Sequence, residues 1–203
     1  DEQNKVANLY RKKMNEMKYI IQFFSEWHAG SGLTSGSDLD ALVVKDKDGF
    51  PFIPGKTLKG LFKEAATEIL ELLKIDPEQS ELITELFGYF DENPVMDSKI
   101  HTQGKAFFSN AEVSPELKKA ITRNYPGYFY RHTASTAIGE NGIAVPHSLR
   151  RMQTVIPCQL VGTIYGVDEK FKPDLIKCMK WIKRLGQNRH RGLGRCIIKE
   201  MED

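Results

Sequence analysis

Residues 57–74, TLKGLFKEAATEILELLK, carry the clearest pattern in the chain. Leu58, Leu61, Phe62, Ala65, Ala66, Ile69, Leu70 and Leu73 recur at helical spacing and lay one apolar stripe along a helix. Pro54-Gly55 sets its start, and Asp76-Pro77 ends the pattern. Upstream, Lys18–Trp27 (KYIIQFFSEW) is dense in β-branched and aromatic residues and reads as a strand. His28–Asp40 follows with three glycines and four Ser/Thr, which predicts a loop. Leu42–Ile53 reads as a hairpin around Lys45–Gly49 (KDKDG). Downstream, Glu78–Phe90 predicts a second short helix, and Lys105–Val113 (KAFFSNAEV) predicts a strand. The stretch 114–150 is irregular and rich in Tyr, Gly and Arg. Met152–Tyr165 reads as one strand with Ile156, Cys158, Leu160 and Ile164 on one face, and Pro157 inside it suggests an edge or a bulge. Pro173–Leu185 is a helical pattern closed by Gly186, and Arg195–Met201 reads as a last strand.

The order is strand, helix, strand, strand, helix, strand. That predicts an α+β domain of the ferredoxin-like βαββαβ kind. Residues 1–17 read as a polar N-terminal extension. Residues 18–203 read as a single domain with insertions at about 28–54 and 114–151. The composition, 40% apolar and 28% charged, is that of an ordinary water-soluble domain. No apolar run approaches membrane-spanning length, so the expectation is a cytoplasmic protein with no membrane partner. Three cysteines without a CxxC pair predict reduced thiols in core positions.

Net charge is only +2, but its distribution is uneven. Asp76–Asp97 holds seven acids and no Lys or Arg, whereas Lys177–Arg195 holds seven Lys/Arg and no acid. Such segregation suits a polyanion partner, and equally two solvated faces of opposite sign. Gly186–Arg195 (GQNRHRGLGR) pairs glycines, which expose backbone N–H groups, with the guanidinium forks of Arg189, Arg191 and Arg195. It matches neither a Walker A loop nor GxGxxG, and reads as a phosphate cradle or as a solvated connector. Lys56 and Lys59 stand at the positive end of the first helix, where ammonium groups are mildly unfavourable without a counter-ion; they mark an anion site or point into water. Asp46 and Asp48 fit a turn before Gly49, while Asp38 and Asp40 end a flexible loop without an evident turn role. An Asp there could hold a hydrated magnesium or orient a ribose hydroxyl at a phosphate. The five histidines are scattered, and none stands at metal-site spacing. Tyr125–Arg131 (YPGYFYR) reads as a base-stacking segment or as packing for the insertion.

Four segments resemble motifs of the RAMP superfamily. Phe52–Gly60 (FIPGKTLKG) is similar to (Y/F)IPGSSLKG, with Lys56 and Thr57 where serines are usual. Gly104–Val113 (GKAFFSNAEV) resembles G-x-L-x-F-x-D-A. Thr136–Ala144 (TAIGENGIA) resembles TAIDRxTGxA, with Gly139 in place of the common Asp. Leu185–Arg195 (LGQNRHRGLGR) resembles LGGxRSRGxGR. The resemblance runs over about residues 18–200 and is greatest to the backbone subunit of type III (Csm/Cmr-like) CRISPR effector complexes. It implies an RRM-like fold with a finger-like hairpin, here 114–151. It implies copies stacked as a filament along CRISPR guide RNA, beside other effector subunits, with target RNA paired to the guide. It also implies cleavage of target RNA by a loop Asp with Mg2+ or another divalent cation. Aligning Val44-Lys45-Asp46 on the family's hydrophobic-Arg-Asp piece places Asp40 at that catalytic and metal-binding position, with Asp38 a second candidate. The usual loop there is Gly-Gly-x-Asp; here it is Ser37-Asp38-Leu39-Asp40. The expected RNA-binding residues are Lys56, Thr57, Lys59, Arg131, His132, Arg150, Arg189, His190, Arg191, Gly192, Gly194 and Arg195. Other readings stay open: a purely structural guide-binding subunit, a metal-independent CRISPR RNA-processing endonuclease with His28 as base, and a domain unrelated to RNA.

Overall fold

The computed structural model describes residues 15–33, 40–92, 99–121 and 126–201. Along the chain come β1 (Glu16–Phe23), β2 (Phe52–Ile53), α1 (Gly55–Leu72), a π-helical turn (Leu82–Phe87), β3 (Gly88–Glu92) and β4 (Lys99–Gln103). Then follow β5 (Phe107–Phe108), β6 (Ala111–Val113), α2 (Pro115–Ile121), β7 (Tyr130–Ser135), β8 (Arg150–Val155), β9 (Gln159–Tyr165), α3 (Lys172–Trp181) and β10 (Cys196–Glu200).

The main sheet has the order β10-β1-β9-β6-β2, with β5 also paired to β9, and every neighbouring pair is antiparallel. Alternation along β1 buries Met17, Tyr19, Ile21 and Phe23 on one face. Helices α1 and α3 cover that face. The stripe read from the sequence is the one that packs: Leu58, Phe62, Ala65, Ala66 and Leu70 are buried. Leu73 falls past the last helical turn and is exposed. The Phe62 ring meets Tyr19 of β1 at 6.0 Å and Phe108 of β5 at 5.2 Å. On α3, Leu175, Cys178 and Met179 are buried. Cys178 and Cys196 are free thiols in the core, each pushed up to about 12 by burial.

β5 and β6 are one strand broken by a bulge. Phe108 faces Ile164 while Glu112 faces Val161, so β5–β6 spends one residue more than β9 between these pairs. Ser109 fills the step: its N–H donates to the Thr163 carbonyl and its hydroxyl accepts from the Thr163 N–H, both at 2.9 Å. The bulge aims the next side chain, Asn110, at the start of α1.

Three expectations are corrected. The helix predicted over 78–90 ends at Phe87, because Gly88 takes a φ of 91° and turns the chain into β3, which pairs with β4. The single strand predicted over Met152–Tyr165 is two strands in different sheets: β8 pairs with β7, and β9 joins the main sheet. At the break around Pro157, the Ile156 N–H donates to Phe129 and the Cys158 carbonyl accepts from Phe23. The irregular stretch 114–150 contains α2, β7 and the first residue of β8. The expected turn after Lys45 is present: Asp46 Oδ1 accepts from the Asp48 and Phe50 N–H groups.

Candidate nucleic-acid interface

Helix α1 begins without a local cap. Pro54 offers no side-chain acceptor, and the first turn holds no acid. The Gly55 N–H is taken by Asn110 Oδ1 at 3.0 Å, delivered by the bulge. A Cβ at Gly55 would lie 2.0 Å from the Phe108 carbonyl, so only glycine lets the helix start seat there. Lys56 and Thr57 are exposed on the first turn, where backbone N–H groups have no intrahelical acceptor. That end of the helix favours an anion.

Opposite stands a crest, residues 185–195, clasped at both feet. Gly186 and Gly194 adopt φ values of 101° and 71°. A Cβ at Gly186 would meet the His28 carbonyl at 2.5 Å, and one at Gly194 the Leu185 carbonyl at 1.9 Å. The Gln187 N–H donates to His28, the Gly194 N–H to Glu26, and the Leu185 N–H to Gly194. Between the feet the chain is open. A single 3-10 turn, Arg189–Arg191, runs between Asn188 and Gly192, and nothing lies within 4 Å of a Cβ at Gly192. His190, Arg191, Gly192 and Arg195 are exposed, while Gly194 is buried as a foot of the clasp and not as a ligand surface. Gly192 and Gly194, both expected to bind RNA, thus differ: one is open to solvent and the other holds the foot of the clasp.

The helix start and the crest enclose a cleft of about 330 Å³. Pro54, Lys56, Thr57 and Gly60 form one wall, Leu185, Gly186, Gln187 and Arg189 the other, with His28–Gly30 between them. Two segments 130 positions apart in sequence, each read as an anion site, thus face one another. Arg189 is not free: its guanidinium donates to Glu64 at 3.1 Å. Lys59 departs further from expectation. It is not part of the cleft lining, and its ammonium donates to the Ala106 carbonyl at 2.9 Å. Burial, helped by nearby Lys63, holds that ammonium below its ordinary pKa. Lys59 ties α1 to the chain before β5.

The remaining predicted residues lie on the β7–β8 hairpin. Glu26 joins hairpin and crest: its carbonyl accepts from Gly194 at 2.7 Å, and its carboxylate accepts from Arg131 at 3.2 Å and Thr154 at 2.7 Å. His132 is exposed on β7, and Arg150 opens β8. Sequence reading missed Glu26, which belongs to no motif, and did not single out Gln187 within the Leu185–Arg195 segment; the fold brings both to the site. Of the aromatic run, Phe129 is buried and Tyr130 donates to the Gly49 carbonyl at 2.6 Å, so these two pack the insertion onto the domain. Tyr125 lies outside the described residues.

Asp40 sits at the root of β8. Its Oδ2 accepts from the Arg151 N–H at 2.8 Å, and its Oδ1 is 3.7 Å from Arg150. Its side chain remains 48% exposed. Asp38 lies outside the described residues. Among the described residues no group of three His, Cys, Asp or Glu side chains converges as a metal site. The groups around Asp40 are a guanidinium and an amide, which do not make up a cation's donor set. No helix among the described residues is long and apolar enough to cross a membrane.

An antiparallel sheet with two helices on one face, and a glycine-clasped crest facing the start of α1, define an α+β protein with a cleft between crest and helix. The chain belongs to the RAMP superfamily, whose model matches residues 20–197. Among solved structures, a chain of the cryo-EM structure of the Type III-B Cmr-beta bound to cognate target RNA is similar with a TM-score of 0.66. It is 13% identical, and the match covers 92% of this chain and 97% of that one. A chain of the Type III-B Cmr-beta in the apo state is similar at a TM-score of 0.63 and 11% identity, over 93% and 98% of the two chains. These likenesses establish the fold. No curated protein sequence matches this chain.

Proposed function

We propose that this chain is a guide-RNA-binding backbone subunit of a type III CRISPR effector complex. The observation that carries the reading is the cleft, in which first-turn amides and Lys56 face the crest wall of Gly186, Gln187 and Arg189, with His190 and Arg191 exposed on the crest beyond its lining. Phosphate oxygens suit Lys56 and the first-turn amides, while Glu64, which also lines the cleft, is paired with Arg189. The strand order β10-β1-β9-β6, with α1 and α3 between strands, supports a ferredoxin-like, RRM-like βαββαβ unit. The β7–β8 hairpin is its finger. Ile138, Ile143 and Leu149, exposed between the two hairpin strands, favour contact with a neighbouring copy or another effector subunit.

The test uses the full chain, labelled single-stranded RNA and fluorescence anisotropy over a salt series. Lys56→Ala and Arg191→Ala each lower affinity for all sequences alike and each reduce the slope of log affinity against log salt by about 0.7. Unchanged slopes in both variants refute the cleft as the RNA site.

A second reading adds cleavage of guide-paired target RNA, and the half-exposed Asp40 beside the hairpin favours it. Asp40 there orients or deprotonates an attacking ribose hydroxyl. The described groups do not build a metal centre, so no step is drawn through a cation. In the assembled complex, Asp40→Ala abolishes target cleavage and spares guide binding; unchanged cleavage removes Asp40 as the catalytic residue.

A further inference from the structure

We propose that His28 reads the ribose 2′-hydroxyl of the bound strand and so makes the cleft prefer RNA over DNA. This rests on the RNA-binding reading above and adds to it the residue that tells the two polymers apart. His28 is wholly buried. Its Nδ1 lies 2.6 Å from the backbone carbonyl of Gln153. A carbonyl only accepts, so Nδ1 carries the hydrogen, and the neutral ring then presents a bare lone pair at Nε2. That atom is buried without a hydrogen-bond partner. Among the described residues, Tyr19 Oη and Trp27 Nε1 share this condition, but neither residue lines the cleft, whereas His28 does. A buried acceptor left empty is costly in the free protein and is relieved by a ligand that donates.

The route to Nε2 runs past a glycine. A Cβ at Gly30 would lie 3.3 Å from Nε2 and 3.1 Å from the Gln187 amide, and Gly30 and Gln187 both line the cleft. In the free protein Nε2 is covered, and a hydroxyl reaches it when the exposed Gln187 side chain swings aside over Gly30. A phosphate oxygen is itself an acceptor and does not bond a bare lone pair. Phosphates suit Lys56 and the first-turn amides of α1, and Nε2 requires a donor. The 2′-hydroxyl is such a donor, it recurs beside every phosphate of RNA, and DNA lacks it. Donors on bases are the other source of this chemistry. Oligouridine and oligodeoxyuridine of equal length share one base and differ at that hydroxyl, so the pair separates sugar from base.

The experiment measures binding of the full chain to both labelled strands by anisotropy at one salt concentration. The unaltered protein binds oligouridine roughly fivefold to tenfold more tightly, the worth of one buried hydrogen bond. His28→Phe, which removes the lone pair, brings the ratio close to one. Gly30→Ala does the same by placing a methyl over Nε2, and it keeps the test alive should the His28 variant fail to fold. Nitrogen NMR of the unaltered protein adds a direct readout: the unprotonated Nε2 resonance moves on adding oligouridine and stays in place with oligodeoxyuridine. The proposal is overturned by equal affinities in the unaltered protein, by a full preference in either folded variant, or by equal shifts with both strands. Cleavage of oligouridine to a cyclic phosphate end also overturns it, since the contact would then be catalytic. If both strands bind equally, only this inference fails; if neither binds, the RNA-binding reading fails with it.

Discussion

Gly194→Ala tests the clasp that presents the crest. The residue sits at a φ of 71°, and a Cβ there would lie 1.9 Å from the Leu185 carbonyl. Left-handed backbone costs a residue with a side chain about 1–2 kcal/mol. The overlap is with backbone, so no rotamer relieves it. The foot must open, releasing the Leu185 N–H bond to Gly194 at 2.9 Å or the Gly194 N–H bond to Glu26 at 2.7 Å. Each is worth about 1 kcal/mol net. The total is about 2–3 kcal/mol, or a melting temperature lower by about 4–12 °C for a domain of this size. Gly192→Ala supplies the control. It shares the left-handed backbone, at a φ of 95°, but has open space around it, so it loses only the conformational part. Urea unfolding followed by tryptophan fluorescence measures both. If Gly194→Ala costs no more than Gly192→Ala, the crest is not clasped as described, and its presentation of Arg191 needs another cause.

Glu26→Gln weakens its bonds with Arg131 and Thr154. Limited proteolysis then cuts faster between β7 and β8, while the melting temperature changes little; unaltered cleavage refutes Glu26 as the hairpin's anchor. Asp46 gives a pH test. Burial works to raise its carboxyl, but the Lys118 ammonium and the Phe50 and Asp48 amides overcome this and hold it below the ordinary 3.8. A depressed carboxyl contributes stability that is present above 3.8 and lost as pH falls through the lower folded-state value. Asp46→Asn therefore unfolds at lower urea at pH 7, by about 1 kcal/mol, and the gap closes below pH 3.8. A gap that persists in acid would remove the carboxylate as its source. Phe62→Ala empties the junction of α1 with Tyr19 and Phe108 and costs about 3–5 kcal/mol in the same assay.

What the sequence made legible follows from the range over which each signal acts. The α1 stripe is local, and the residues from Leu58 to Leu70 bury much as their spacing says. The bar between β8 and β9 is not local: alternation runs on through Pro157 without revealing that the strands serve different sheets. The π-helical turn at Leu82–Phe87 shares the apolar look of a helix, and only the positive φ at Gly88 stops it short of Phe90. For the site, glycines and arginines marked the crest, and lysines marked the helix start. That they face each other, that Lys59 turns away to Ala106, and that Arg189 is engaged by Glu64 are outcomes of packing. His28 was visible as a residue; its orphaned nitrogen was not.

The cap of α1 comes from Asn110, which bonds a backbone group 55 positions earlier. Everything between the helix and the bulge, including the β3–β4 ribbon, is therefore a detour that must return one side chain to one amide. Closing a longer detour costs little more than closing a short one, since the entropy grows only with the logarithm of length. Ornament can thus be gained or lost in that span while the start of the helix stays where it is, provided the bulge is kept.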